Sequence, residues 1–387
     1  MSAHAGVPIP APAGWTPQAA IIARFPEIAE LARQADPEIQ RSEAELDRRE
    51  ASGEDASCVR QILRELRWRL QYTADPDGIR ATLARLGDRG ALPAATDAVC
   101  TDVWFLRLDG CVDRMLADDF DDHGTPPCLL DRINDPERLT DYLESLIVSR
   151  LEEDGIDRRK ELNFATANLV RLILWRRPRN YPWDPRLEAV ICRFVGKWQD
   201  PATGFFGADY LVGGRRLRTA DLSLTFHMAR YLEGAIGYWP QLVDTLFVIR
   251  DGRYPNGWLD EIGMTSHNNY DVAVLLQFGW PHMRAGQRQE AEKELTRLLD
   301  WCLTEAVTSQ GEILARASGE SLPESHYFTI AFLDTVGYFD PAKRFWSQRD
   351  FPEAPALRTR LEDRLATLPQ GDPMVRMAYE RLRPAGR

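Results

Sequence analysis

Cysteine is scarce and irregularly placed in this chain of 387 residues. None of the six cysteines belongs to a CxxC pair, and no regular spacing relates positions 58, 100, 111, 128, 192 and 302. This excludes the paired-cysteine signature of a zinc ribbon and disfavours a disulfide framework. We therefore expect six free thiols and a reducing compartment.

Long hydrophobic runs and an excess of basic charge are also missing. No apolar run approaches the ~20 residues of a membrane-spanning helix. The net charge is -11 and the pI is ≈ 5.2, so neither nucleic acid nor a membrane surface is an expected partner. The opening "MSAHAGVPIPAPAGWTP" has neither a basic start nor an uninterrupted apolar core, which is unlike a signal peptide and favours a cytoplasmic protein. Its prolines predict a flexible arm over residues 1–20.

Strand signals are few, while helical signals repeat. No sustained alternation of Val, Ile and Thr occurs. Turn glycines recur about every 50 residues, in the segments "EEDGID", "QDPATGFFG", "RDGRYPNGW" and "TSQGEI", at Gly155, Gly204, Gly257 and Gly311. An almost entirely apolar helical segment follows each turn, for example "NNYDVAVLLQFGW", and a more charged one such as "RQEAEKELTRLLDWCLTEAV" precedes the next.

This alternation predicts an all-α fold of stacked helical hairpins. Apolar helices placed side by side form an inner ring, and amphipathic helices cover it as an outer ring. If the ring closes, the fold is an α/α toroid around a central cavity; an open α-solenoid is the alternative. We expect a single toroid domain over residues 21–387, with the clearest repeats at 150–340.

The turn at Gly204 carries a family resemblance. The segment "FVGKWQDPATGFFG" resembles the glutamine–glycine–aromatic turn of the terpenoid cyclase and protein prenyltransferase toroid superfamily, and "DGRYPNGW" is similar but lacks the glutamine. The resemblance covers roughly residues 150–340 and implies the toroid fold. It does not select a chemistry, because the same fold also carries polysaccharide lyases and many glycoside hydrolases.

Polar side chains interrupt the predicted inner helices. Three histidines fall in three successive apolar segments, at His227, His267 and His326. They are accompanied by Asp221, Asn268, Asn269, Tyr270, Asp271, Glu324 and Tyr327. Buried polar groups are costly unless they are used, so these residues predict a functional cavity.

A second group of residues predicts an anionic substrate. The segment "GGRRLRTADL" places Arg215 and Arg216 in a glycine-containing loop just before an inner helix, at one rim of the ring. Guanidinium groups match carboxylates and phosphates. Trp258, near the third turn, is a candidate ring for stacking on a sugar. We expect a small molecule or an oligosaccharide as the partner, and neither a cofactor nor a metal.

The stretch "HNNY", residues 267–270, fits β-elimination on a sugar that carries a uronic acid. Toroid lyases use asparagine, histidine and tyrosine, which implies His267 as the base and Asn268 or Asn269 as the carboxylate neutraliser. Tyr270 or Tyr327 would be the acid, with His227 as a further catalytic candidate. His267 and Tyr270 share one helix face, whereas Asn268 points about 100° away, so Asn163 or Asn168 is an alternative neutraliser.

Four other hypotheses remain open at this stage. A glycoside hydrolase would use two carboxylates, chosen from Asp221, Asp271, Glu261 and Glu324. A terpenoid or prenyl diphosphate enzyme is suggested by the DDxxD spacing of "ADDFDDHG", at Asp118, Asp119 and Asp122. Three inner-helix histidines are enough for a zinc site. A non-catalytic helical scaffold would bind a partner on its concave face.

Overall fold

The computed structural model describes residues 15–52, 54, 56–88, 100–117, 126–314 and 320–383. This part of the chain contains seventeen α-helices and three short strands, which confirms the all-α class. It divides into two compact units, within Met1–Trp198 plus Gly207–Thr219 and within Gln199–Phe206 plus Ala220–Arg387. Within the same described ranges, no helix is both long enough and apolar enough to cross a bilayer.

The described part of the first unit contains ten helices. They are α1 Pro17–Arg24, α2 Glu27–Ser52, α3 Ser57–Tyr72, α4 Pro76–Gly87, α5 Trp104–Ala117, α6 Pro126–Asp131, α7 Pro136–Ile147, α8 Leu151–Asp154, α9 Arg159–Leu174 and α10 Leu187–Trp198. Helices α2, α3 and α4 pack together, α5 packs on α9, and α7 packs on both α9 and α10. Because Thr16 caps α1, residues 17–20 of the predicted arm are helical.

A small sheet in the first unit corrects one expectation. The strands are β1 Val148–Ser149, β2 Asp209–Val212 and β3 Arg215–Arg218; β1 is parallel to β2, and β2 is antiparallel to β3. Gly213 and Gly214 join β2 to β3 with positive φ, as a tight hairpin requires. The predicted arginine-bearing loop is therefore a β-hairpin, and the Gly-Gly pair was its signal.

A disulfide corrects a second expectation. Cys58 at the start of α3 is bonded to Cys100, which lies just before α5, with 5.3 Å between the Cα atoms. Both residues are buried. The prediction of six free thiols is wrong for this pair, because the packing of α3 against α5 brings together two cysteines that are 42 residues apart. In the described ranges, Cys111, Cys192 and Cys302 are free.

The described part of the second unit contains seven α-helices. They are α11 Leu222–Tyr231, α12 Trp239–Val248, α13 Ser266–Gly279, α14 Ala285–Trp301, α15 Leu322–Thr335, α16 Ala354–Leu365 and α17 Pro373–Leu382. Helices α11, α13, α15 and α17 pack as a row, with α12 and α14 against α13 and α16 against α17. Eleven of the 14 residues of α13 are buried but only four of the 17 in α14, so the predicted contrast between an apolar helix and a more charged one holds for this pair.

The turn that carries the family resemblance is held by its glutamine. The Nε2 of Gln199 donates to the carbonyl oxygens of Gly204 and Gly237, both at 2.7 Å, and its Oε1 accepts from the Gly237 N–H at 2.9 Å. Gly204 has φ +71°, and a Cβ there would lie 2.4 Å from the backbone nitrogen of Leu242. Glutamine and glycine are thus both required to dock this turn on the start of α12.

Candidate functional site

The second unit places polar side chains at the facing surfaces of its helix row. Helix α13 begins at Ser266 because the Thr265 hydroxyl caps it, and α15 begins with a capping box formed by Ser321 and Glu324. Within α13, His267, Tyr270 and Asp271 are spaced i, i+3 and i+4, so they share one face of the helix.

Two tyrosines and two arginines meet between α11, α13, α15 and α17. The Nη2 of Arg230 donates to the Tyr327 hydroxyl at 2.9 Å, and the Nη2 of Arg381 donates to the Tyr270 hydroxyl at 2.9 Å. The tyrosine rings meet edge to face with centroids 6.2 Å apart. We call Arg230, Tyr270, Tyr327 and Arg381 the tyrosine–arginine cluster.

The cluster makes Tyr327 the more acidic of its two tyrosines. Both rings are buried, and burial by itself opposes ionisation. For Tyr327 the positive charges of Arg230 and Arg381, with the hydrogen bond from Arg230, outweigh burial and lower its pKa. For Tyr270 burial dominates and raises the pKa. The pair thus separates into one phenol that keeps its proton and one that releases it more readily.

Arg381 is bound by Asp334 as well as by Tyr270. Its Nη1 donates to Asp334 Oδ2 at 3.1 Å, and the Nζ of Lys343 donates to Asp334 Oδ1 at 2.6 Å. The Asp334 side chain is 5% exposed, whereas Arg381 is 31% exposed. Arg381 therefore connects the buried tyrosine pair to the solvent-facing side of the cluster.

Asp271 adds a buried carboxyl group next to the cluster. Its Oδ2 accepts from the Tyr254 hydroxyl at 3.1 Å, and its Oδ1 has no hydrogen-bond partner within the described part of the chain. Burial, with a smaller contribution from the charge of Asp221, raises the Asp271 pKa well above its ordinary value. Burial thus favours the neutral form of the Asp271 carboxyl group. Asp221 itself caps α11 by accepting from the Leu224 N–H at 3.0 Å.

His267 lies at the edge of the same α13 face. Its ring stacks on Phe328 with centroids 4.0 Å apart, and its Nδ1 lies 4.0 Å from Oε1 of Glu320. The side chain is 35% exposed. Because Phe328 also contacts the rings of Tyr270 and Tyr327, His267 is one aromatic layer away from the cluster.

Three predicted site residues, Asn268, Trp258 and Glu324, have contacts within the fold. Asn268 donates from Nδ2 to the Trp258 carbonyl at 3.1 Å, and Trp258 is 1% exposed, so this indole packs in the core and presents no face to a sugar. Asn269 is buried, and no described residue accepts from its Nδ2. Glu324 accepts from the Ser321 N–H at 2.9 Å and completes the cap of α15. Capping and core packing therefore account for polar residues that the sequence assigned to substrate.

The three histidines are in three different environments. His227 stacks on Tyr231 with centroids 5.6 Å apart. His326 is buried, its Nδ1 lies 2.9 Å from the Leu322 carbonyl oxygen, and burial followed by the charge of Arg364 lowers its pKa. In the ranges that the structure describes, no group of three or more His, Cys, Asp or Glu is able to hold a metal ion. The zinc hypothesis therefore has no support from these histidines.

The remaining predicted residues lie in the first unit or outside the described ranges. Arg216 forms an ion pair with the buried Asp209, and Arg215 is exposed on the same strand. Asn168 donates to Asp109 Oδ1 at 3.1 Å. The hairpin arginines are thus not part of the cluster. The DDxxD residues, Asp118, Asp119 and Asp122, lie outside the described residues.

Neither arginine of the cluster, Arg230 or Arg381, was predicted from the sequence. Arg230 follows His227 by three residues on a helix that was already singled out, so an arginine in an apolar segment was the available signal. Arg381 lies in α17, beyond the region where the repeat is clear, and no local pattern marks it.

Comparisons with protein-family models, with curated proteins and with solved structures each give no match. The resemblance to the toroid superfamily therefore stays a prediction, and the function rests on the chemistry of the cluster.

Proposed function

We propose that this chain is an α/α-toroid enzyme that cleaves chains of uronic-acid sugars by β-elimination. One observation carries the proposal: two guanidinium groups meet two buried tyrosines, with Arg230 donating to the Tyr327 hydroxyl and Arg381 donating to the Tyr270 hydroxyl. The charges of both arginines lower the Tyr327 pKa. A general base is most effective when its pKa lies near the working pH. Guanidinium groups at the same place neutralise a carboxylate, whose charge increases when the neighbouring carbon loses its proton.

The steps follow from these positions. The Tyr327 phenolate takes the proton from the carbon next to the sugar carboxylate, and Arg230 and Arg381 stabilise the negative charge that develops there. The electron pair forms a carbon–carbon double bond as the glycosidic carbon–oxygen bond breaks. The leaving oxygen receives a proton from His267, at the solvent edge. Relative to the sequence hypothesis, tyrosine and histidine exchange roles, and the arginines replace Asn268 and Asn269.

The test compares two buried tyrosines of the second unit. Tyr327→Phe removes the hydroxyl of the proposed base, and Tyr338→Phe removes one outside the cluster; Tyr327 is 3% exposed and Tyr338 is 2% exposed. On a panel of uronate polymers and oligomers, we expect new absorbance from the unsaturated product with wild-type protein. Tyr327→Phe should reduce the rate about 100-fold or more, and Tyr338→Phe should leave it near wild type. Absence of product from every uronate substrate, or full activity of Tyr327→Phe, would refute the proposal.

Asp271 favours a second candidate, a glycoside hydrolase. A carboxyl group with a raised pKa suits the general acid of glycoside hydrolysis, and Asp221 lies close enough for its charge to contribute to that raised Asp271 pKa. The product separates the two functions. Hydrolysis yields a new reducing end without a double bond, whereas elimination yields the unsaturated sugar.

A further inference from the structure

The charges in and around the cluster do not balance. Arg230, Arg381 and Lys343 are positive, and Asp334 supplies one negative charge. Burial raises the pKa of Asp271, which opposes a negative charge on this carboxyl group. Within the described part of the chain, Arg230 forms no ion pair with a carboxylate. With neutral tyrosines, Arg230, Arg381, Lys343 and Asp334 carry an excess of two positive charges, and Asp221, whose charge acts on Asp271, offsets one of them. One positive charge remains, and an anion that joins the cluster balances it.

Arg381 is the arginine that is free to meet such an anion. It uses one N–H of Nη1 on Asp334 and one of Nη2 on Tyr270, so three of its five N–H donors remain. Its side chain is partly exposed, while the carboxylate that orients it is buried. The Nζ of Lys343 lies 2.6 Å from the other oxygen of Asp334. One carboxylate thus orients Arg381 while it faces two positive side chains, so a net positive charge remains there.

We propose that Arg381 is the specificity-determining residue that binds the carboxylate of the substrate, and that Asp334 and Lys343 are its positioning residues. The identity of the ligand as a sugar acid rests on the proposed function. The charge balance favours a carboxylate over a phosphate, because one positive charge remains when Asp221 is counted and the tyrosines are neutral. One carboxylate neutralises that charge, whereas a phosphate dianion exceeds it by one.

Binding tests this inference without any turnover. The probes are D-glucuronate and D-galacturonate, their neutral counterparts D-glucose and D-galactose, and glucose 6-phosphate, titrated by ligand-observed NMR. Wild-type protein should bind at least one uronate more tightly than its neutral counterpart and than the phosphate. Arg381→Met should weaken uronate binding about ten- to hundredfold and leave the neutral sugars unchanged. The control is Arg376→Met, an exposed arginine of the same helix, which should bind as wild type does.

Two further variants separate positioning from folding. Arg381→Lys keeps the charge but loses the fork that spans Asp334 and Tyr270, so it should recover only part of the uronate preference. Asp334→Asn should lower the ratio of uronate to neutral-sugar affinity without abolishing neutral-sugar binding, a selectivity change that general destabilisation does not produce.

Three results bear on the inference. Uronate preference that survives in both Arg381 variants would overturn it, and so would tighter binding of glucose 6-phosphate than of either uronate. The third result is uronate binding that depends on Arg381, in a protein that forms no unsaturated product. It would support the carboxylate site at Arg381 and would refute only the proposed β-elimination.

Discussion

Replacing Gln199 with methionine tests the turn that organises the second unit. Methionine has a similar length but no hydrogen-bonding group, so the change removes all three bonds to Gly204 and Gly237 while keeping the volume. The two glycines differ in exposure, because Gly204 is buried and Gly237 is exposed. Water therefore replaces the lost partner at Gly237 but not at Gly204.

The magnitude follows from that difference. The Gly204 carbonyl, left buried without its partner, costs about 1–3 kcal/mol, and each of the two bonds to Gly237 contributes about 0.5–1 kcal/mol. The sum is a loss of about 3 kcal/mol in the free energy of unfolding. This is a large part of the roughly 5–15 kcal/mol that stabilises a typical domain.

The assay is urea unfolding followed by tryptophan fluorescence. The matched control is Gln348→Met, the same substitution at an exposed glutamine of the same unit, for which a change within about 0.5 kcal/mol is expected. If Gln199→Met unfolds at the same urea concentration as Gln348→Met, the hydrogen bonds of Gln199 do not hold this turn and the reasoning is wrong.

Two further predictions concern stability. Gly204→Ala combines the penalty of φ +71° with a Cβ 2.4 Å from the Leu242 nitrogen, so the free energy of unfolding should fall by about 2–4 kcal/mol. The control is Gly286→Ala, which should lose no stability because nothing lies within 4 Å of the added Cβ. Equal urea midpoints for the two variants would contradict the prediction. For His326, burial lowers the native pKa, so below about pH 6.5 the unfolded chain takes up a proton that the native protein refuses. The free energy of unfolding should therefore fall as the pH drops from 7.5 to 5.5. It should fall by less in His326→Gln, whose amide can still donate to the Leu322 carbonyl. An equal fall in both proteins would show that His326 is not the group responsible.

Local patterns predicted the helical architecture well. The apolar segments after Gly257 and Gly311 became α13 and α15, and the charged segment between them became α14, because helix periodicity and capping residues act over a few residues. The same locality explains the turn at Gly204, where glutamine and glycine are close in sequence. The hairpin at Gly213 was not predicted, because a Gly-Gly pair is common both in irregular loops and in tight β-turns.

The candidate site was only partly predictable. Tyr270, Tyr327 and His267 were found because polar residues stand out in apolar helices. The roles of individual polar residues were not predictable. A glutamate that caps a helix, such as Glu324, and a glutamate that binds a ligand look alike in sequence. Trp258 shows the same limit, since burial decides whether an aromatic ring is core or binding surface.

The helices and the turns between them follow from local sequence, since each depends on neighbours within a few positions. Which charged groups meet depends instead on how the helices pack. Arg230 reaches Tyr327 across 97 positions and Arg381 reaches Tyr270 across 111, and Cys58 pairs with Cys100 across 42. Contacts at such separations are made by helix packing, whose geometry is set by all the side chains of the row together, so no local pattern records them.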